Sequence, residues 1–221
     1  MDEEQKIKEK ISKLDQLDPQ KLIPPMFANI PEIAGQVKVV ARKSDGNIDY
    51  IITDAGQMSR RQIRNSFTYF NDEELDEYPE LSIDENNYAR PLAYGNIREI
   101  SPDILFSGMF ETNPALRGKG MGVAFQEHLV NLAKKLGYKF LAGYQNNAEI
   151  ARFFIKRGRY LLEEIKDELQ GEFESIRDQE NDETLFYTVK FLNPEDVTRY
   201  IKPERIDTSV EDKIRFKEEI T

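Results

Sequence analysis

The sequence predicts a mixed α/β domain with additional helices at both ends, and three observations carry that expectation. β-branched runs flank Asp45-Gly46. The stretch NPALRGKGMGVAF, residues 113–125, sets three of the chain's 12 glycines between a strand pattern and a helix pattern. From there to residue 192, helix and strand patterns alternate.

Taken in chain order, Ile7, Ile11, Leu14 and Leu17 recur at helical spacing and predict an amphipathic helix over residues 4–17. Pro24, Pro25 and Pro31 mark a connector, so residues 1–36 read as an N-terminal extension in which nothing looks catalytic. VKVVARKSDGNIDYIIT then predicts two strands joined at Asp45-Gly46, a dipeptide that tolerates the positive φ angles of a tight hairpin. A helical stretch around SRRQIRNSFTYF follows. NDEELDEYPELSIDEN carries eight acids and no base between Asp72 and Glu85. Such a run is commonly a solvated loop or helix face; the functional alternative is an acidic rim that attracts an amine.

LAYGNIREI and DILFSGMFET predict a strand pair joined near Ser101-Pro102. Past the glycines, Phe125, Leu129, Leu132 and Leu136 share one helix face, and Gly137 stands where a helix-ending residue belongs. His128 lies beside that face and reads as a boundary residue. YKFLAGY predicts a short strand. NNAEIARFFIKRG predicts a helix capped by Asn146 or Asn147 and ended by Gly158. LLEEIKDELQGEFESI spaces Leu162, Ile165, Leu169, Phe173 and Ile176 like a helix despite Gly171, and TLFYTVKFL predicts the last strand. The tail from Asn193 opens with NPEDV, an Asn cap with proline at the first helical position, and predicts two short helices. The organisation is therefore an extension over 1–36, a domain over 37–192 and a helical tail over 193–221.

Composition excludes much chemistry. The 221 residues contain no cysteine and one histidine, which removes disulfides, thiolate nucleophiles, cysteine-ligated zinc and His-cluster metal sites, and leaves little room for a Ser-His-Asp triad. No metal is expected. The formal net charge of −10 argues against nucleic acid and anionic membranes as partners and favours cationic ones. No apolar run approaches the roughly 20 residues needed to cross a bilayer, and the charged start MDEEQKIKEK is unlike a signal peptide, so a cytoplasmic location is the expectation.

The glycine segment fits neither phosphate motif that its composition brings to mind. A P-loop needs Ser or Thr after its lysine, but Lys119 is followed by Gly120. A dinucleotide fingerprint begun at Gly118 or Gly120 would need glycine at Val123 or Phe125. What remains is a strand, a Pro114 turn, a glycine loop and a helix start, which present free N–H groups and a positive dipole end to an anion. Arg117 and Lys119 add side-chain cations. The plain alternative is a glycine-rich turn that serves only a tight strand-to-helix connection.

NPALRGKGMG resembles the acyl-CoA-binding loop of GNAT-type N-acetyltransferases. The pattern [RQ]-x-x-G-x-[GA] is met by Arg117, Gly120 and Gly122, and the fuller V-x-P-x-x-R-G-x-G by Pro114, Arg117, Gly118 and Gly120, with Thr112 at the valine. A second motif, N-x-x-A-x-x-x-Y-x-x-x-G-F, aligns from Asn147 to Gly158 with its spacing kept, but Ile150, Phe154 and Arg159 replace the alanine, the tyrosine and the last phenylalanine. The resemblance covers residues 104–160 and implies a mixed, mostly antiparallel sheet with a splayed strand pair. It further implies that backbone groups at Phe110, Glu111 and Thr112 hold pantetheine and thioester. The N–H groups of Arg117, Gly118, Lys119, Gly120, Met121 and Gly122 would cradle the pyrophosphate, while Asn147 and position 154 would border the pantetheine arm.

The activity implied is transfer of an acyl group, most simply acetyl from acetyl-CoA, to a primary amine of a small molecule or protein. Phe154 stands where many members place the acid that protonates the departing thiolate. Such an acid is worth roughly 10²- to 10⁴-fold, and a thiol with a pKa of about 8.5 is already a tolerable leaving group. Tyr144 is the first substitute acid and Tyr160 the second; Glu111 or Asp103 is the base. The alternative, kept open by Phe154, is a non-catalytic CoA-binding or protein-interaction module, and acyl transfer in the manner of autoinducer synthases is a third. The terminal helices would serve a homodimer, a protein partner, or only cover the sheet.

Overall fold

The computed structural model describes residues 12–33, 35–67, 70–84, 86–174, 176 and 184–220. Strands β1 (Lys38–Ser44) and β2 (Asn47–Met58) are followed by helices α1 (Arg60–Ser66) and α2 (Asp72–Asp76). Next come β3 (Tyr88–Ser101), β4 (Ile104–Thr112), α3 (Met121–Lys135), β5 (Phe140–Gln145) and α4 (Ala148–Ile155). β6 (Tyr160–Leu161), α5 (Asp167–Gln170), β7 (Phe186–Phe191), α6 (Glu195–Tyr200), α7 (Pro203–Ile206) and α8 (Val210–Ile220) complete the order. The fold class is mixed α/β, with a seven-stranded sheet in the order β1-β2-β3-β4-β5-β7-β6. β4 and β5 are parallel, whereas β1–β2, β2–β3, β5–β7 and β6–β7 are antiparallel. Among the described residues no helix is long and apolar enough to cross a membrane.

Two units divide the chain: Met1–Glu99 with Phe110–His128, and Ile100–Met109 with Leu129–Thr221. In the first, Asp45 and Gly46 take φ angles of 43° and 75°, the mirror-image turn that a two-residue hairpin requires, and Ser44 pairs with Asn47. Ile51, Ile52, Thr53 and Asp54 are buried in succession, so both faces of β2 are covered there. Both short helices open on reciprocal caps: the Ser59 and Gln62 side chains each accept a backbone N–H of the other residue, and Asn71 and Glu74 do the same. Their apolar faces meet in a core of Ile51, Ile63, Phe67, Phe70, Leu75, Tyr78, Leu81 and Tyr88. Of the helix expected over 4–17, residues 4–11 lie outside the described residues. Residues 13–16 form a turn rather than helix, with Leu14 and Leu17 buried.

The second unit corrects another expectation. Residues 161–176 do not form one helix: they run through β6, a 3₁₀ turn at Leu162–Glu164, α5 and a second 3₁₀ turn at Gly171–Phe173. The reason is non-local backbone pairing. Lys166 N–H donates to the Tyr200 carbonyl at 2.8 Å and Lys202 N–H to that of Glu164 at 2.9 Å, bridging Ile165 to Ile201. Leu162, Ile165, Leu169, Phe173 and Ile176 still all reach one core, with Phe106, Phe140 and Val189. The tail holds three short helices where two were expected, and Asn193 Oδ1 accepts from Glu195 N–H at 3.2 Å at the first of them.

α8 is held by two buried ion pairs, Lys213 to Glu164 at 2.7 Å and Lys217 to Glu163 at 3.0 Å. Ile214 joins Ala151 and Ile155 of α4 in a small apolar cluster. Glu164 also accepts the Leu161 N–H at 2.8 Å, so removing it strands two buried groups. Glu164→Ala is expected to lower the unfolding free energy by about 3–5 kcal/mol. Combining Glu164→Leu with Lys213→Met should recover most of that loss in urea titrations, because no charge is then left buried alone.

Candidate functional site

β4 ends in a turn built by one side chain. Asn113 is buried, its Nδ2 donates to the Pro91 carbonyl at 3.1 Å, its backbone N–H to that of Leu92 at 2.9 Å, and its Oδ1 accepts from Ala115 N–H at 3.0 Å. Pro114–Leu116 form one 3₁₀ turn after it. Leu116 and Met121 are buried, so the exposed stretch Arg117 to Gly120 is pinned on both sides. Beneath it Phe110 stacks on Phe125, with centroids 3.8 Å apart and the rings 2° from parallel.

Gly118 and Gly120 take φ angles of 77° and 76°, which L side chains rarely adopt. Gly122 needs no such angle, lies inside the first turn of α3, and a Cβ added there would meet nothing within 4 Å. Neither backbone strain nor internal crowding therefore explains a glycine at 122. The 15-residue helix that starts at Met121 leaves its first N–H groups without intrahelical acceptors and places its positive dipole end at this loop. Open space, free donors and a positive end together fit an anion such as pyrophosphate.

Both cations of the loop already face carboxylates. Arg117 Nη2 lies 3.1 Å from Glu111 Oε1, and Lys119 pairs with Glu32 of the proline-rich connector. The Lys119 ammonium holds the Glu32 carboxyl below the ordinary glutamate range. Phe110, Glu111, Thr112 and residues 117–122 are thus brought together in the first unit, with Glu111 joined to Arg117. Glu32 had no local signal, since its partner is 87 residues away. Asn113 could have been noticed from the Asn-Pro dipeptide, which favours turn initiation.

The remaining expected residues fall in the second unit. Asn147 caps α4, its Oδ1 accepting from Ile150 N–H at 2.9 Å. Phe154 packs on Phe153 and lies over the Arg159 guanidinium, 5.0 Å from ring centre to Cζ. Tyr144 is half-buried among Phe106 and Tyr187, at centroid distances of 6.0 and 6.4 Å. Tyr160 faces the Lys213 ammonium at 4.6 Å, and burial, with Glu164 and Asp207, pushes its hydroxyl above the ordinary tyrosine range. Asp103 opens β4 at the end opposite the glycine loop and pairs with Lys139 at 2.7 Å. In the first unit, His128 is half-buried, with Nε2 2.6 Å from the Lys21 carbonyl oxygen. The acidic run meets arginines there: Asp76 lies 2.5 Å from Arg60, Asp72 lies 3.4 Å from Arg64, and Glu77 pairs with Arg42.

Because Glu32 and Glu111 compete with an incoming anion for the loop cations, their neutral isosteres should bind it more tightly. Glu32→Gln and Glu111→Gln are each expected to raise pyrophosphate affinity about two- to fivefold, the size of exposed ion pairs, measured by titration calorimetry at low salt. High salt should shrink the gain.

No family model matches the chain, and no curated protein matches it. Its fold is similar to solved structures at low identity. The ribosomal-protein-S18-alanine N-acetyltransferase of Escherichia coli is 14% identical with a TM-score of 0.35, over 54% of this chain and 56% of that one. The chain thus spans little more than half of that protein's structure. GCN5 of Tetrahymena is 10% identical with a TM-score of 0.42, over 68% of this chain and 71% of that one. Rv2747 of Mycobacterium tuberculosis, in complex with CoA and NLQ, is 17% identical with a TM-score of 0.40, over 61% and 92%. Each of these likenesses is partial, at low identity and with a TM-score below 0.5.

Proposed function

We propose that this protein is an acyl-CoA-dependent N-acyltransferase, moving an acyl group, most simply acetyl, from the thioester to a primary amine of a small molecule or protein. The observation that carries the reading is the glycine loop. Two left-handed glycines, a third glycine with open space above it, and the start of a 15-residue helix converge where an anion can meet the backbone. In this reading the N–H groups of residues 117–122 cradle the CoA pyrophosphate, and Arg117 and Lys119 exchange their carboxylate partners for phosphate oxygens. Backbone groups at Phe110–Thr112 take the pantetheine. The amine nitrogen attacks the thioester carbonyl carbon, the C–S bond breaks, and the electron pair leaves with sulfur.

The non-catalytic alternative draws support from Phe154, which packs its ring on a guanidinium and which the motif resemblance, not the structure, sets at the position of the acid. Incubation with acetyl-CoA and a panel of primary amines separates the two. Free thiol release together with thermal stabilisation by CoA supports the enzyme; stabilisation alone supports the binding module; neither signal excludes both. The arginines facing Asp72, Asp76 and Glu77 favour the solvated-face reading of the acidic run, so cationic and neutral amines belong in the same panel.

Gly120→Glu tests the loop itself. Its φ of 76° makes a side chain there cost about 1–2 kcal/mol, while the new carboxylate would stand in the anion's place. The variant is expected to fold and to lose CoA stabilisation altogether. Unchanged stabilisation would move the CoA site away from this loop.

A further inference from the structure

A polar cleft of about 320 Å³ lies wholly within the second unit, where the end of α3, the start of β5, the end of β7 and α6 meet. Its volume is at the small end of the range for ligand clefts, roughly 300–1,000 Å³. Three cations from three segments line it: Lys134 in the last turn of α3, Lys139 just before β5, and Arg199 in the last turn of α6. Asp196 is the acid among the lining residues. Lys139 pairs with Asp103 at 2.7 Å, whereas among the described residues no carboxylate pairs with Lys134 or Arg199. The backbone that carries these cations is fixed. Gly137, at φ 77°, ends α3 and donates its N–H to the Lys134 carbonyl at 3.0 Å; Leu192 N–H donates to that of Lys139 at 2.9 Å, and Lys166 Nζ to that of Arg199 at 2.5 Å. Tyr200 stacks on Phe191 with centroids 6.4 Å apart, and the Arg199 Cζ lies 4.7 Å from its ring centre.

Cations gathered in this way repel one another, although the chain's net charge of −10 supplies acids in excess. The repulsion is felt: burial, and then the charges of Arg159 and Lys134, hold the Lys190 ammonium on β7 below the ordinary lysine range. Helix ends account for part of the pattern, since a cation in the last turn favours the dipole. Lys135 meets that need for α3 without lining the cleft, and α6 has only six residues. We propose that the cleft is a further anion site, built for a compact dianion of the phosphate-monoester class. Lys134 and Arg199, on two different elements, take the phosphate oxygens, and the guanidinium offers them two parallel N–H donors. Two separate cations suit a dianion better than a single negative charge. The remaining volume admits a short organic body, whose hydroxyl groups Asp196 can accept from. Every lining residue belongs to the second unit, so this site is independent of the glycine loop and of the acyltransferase reading.

Backbone-amide NMR of the full chain, titrated with glycerol phosphate and with inorganic phosphate at constant ionic strength, reads the site residue by residue. Saturable shifts are expected at residues 134–139 and 192–200, with glycerol phosphate bound more tightly than inorganic phosphate. Equal affinities would assign the cleft to free phosphate. Lys134→Gln and Arg199→Gln should each weaken binding about two- to fivefold, and the double variant about tenfold, as for exposed ion pairs. Lys135→Gln, at the same helix end but outside the cleft, should change it by less than about twofold. Shifts that never saturate, that weaken equally in Lys135→Gln, or that are confined to other parts of the chain overturn the proposal. Amides of residues 117–122 report the glycine loop separately, so failure at either site is read without reference to the other.

Discussion

Asn113 fixes the point at which β4 stops and the glycine loop begins, and the candidate anion site depends on it. Its three hydrogen bonds tie the strand end to the carbonyls of Pro91 and Leu92 and shape the turn at Ala115. Because Leu116 and Met121 are buried on either side, the four exposed residues between them have little freedom other than the angles glycine permits. The loop is thereby held open over the start of α3, with its donors set before any ligand arrives. Preorganisation of this kind reduces the cost of ordering on binding.

Charge is managed differently in the two units. In the first, the loop cations sit in exposed pairs with Glu32 and Glu111, which an incoming phosphate can displace at small cost. In the second, Lys213–Glu164, Lys217–Glu163 and Arg159 are buried, where ionic groups interact strongly and desolvation is expensive. The first arrangement suits exchange of partners. The second suits fixed geometry, and it surrounds α4 with groups that hold that helix in one position: Ile214 packs on it from α8, and Arg159 lies under Phe154.

What the sequence made legible was local. Asp45-Gly46, Gly137, Asn147 and Gly158 each act on their own neighbours, and the hairpin, α3 and α4 end where those residues require. The stretch 161–176 has helical apolar spacing but takes another conformation, because its backbone partners, Tyr200 and Lys202, lie more than 30 residues away. Burial of Glu163 and Glu164 was equally hidden, since the lysines that pair them lie about 50 residues further on. At the candidate site the glycines and cations were visible, but the Glu32 partner of Lys119 was not. Arg159 registered only as a departure from a motif, because a strand-end cation has no periodic signature.

Gly122 gives the most direct test of the central claim that the loop is open for a ligand rather than for the chain. With ordinary backbone angles and no neighbour within 4 Å of an added Cβ, Gly122→Ala should stabilise the free protein by about 0.5–1 kcal/mol. A higher melting temperature is expected together with CoA affinity weakened at least tenfold, because on the proposed reading the methyl group would stand where the phosphate approaches. A higher melting temperature with unchanged CoA affinity would contradict the claim.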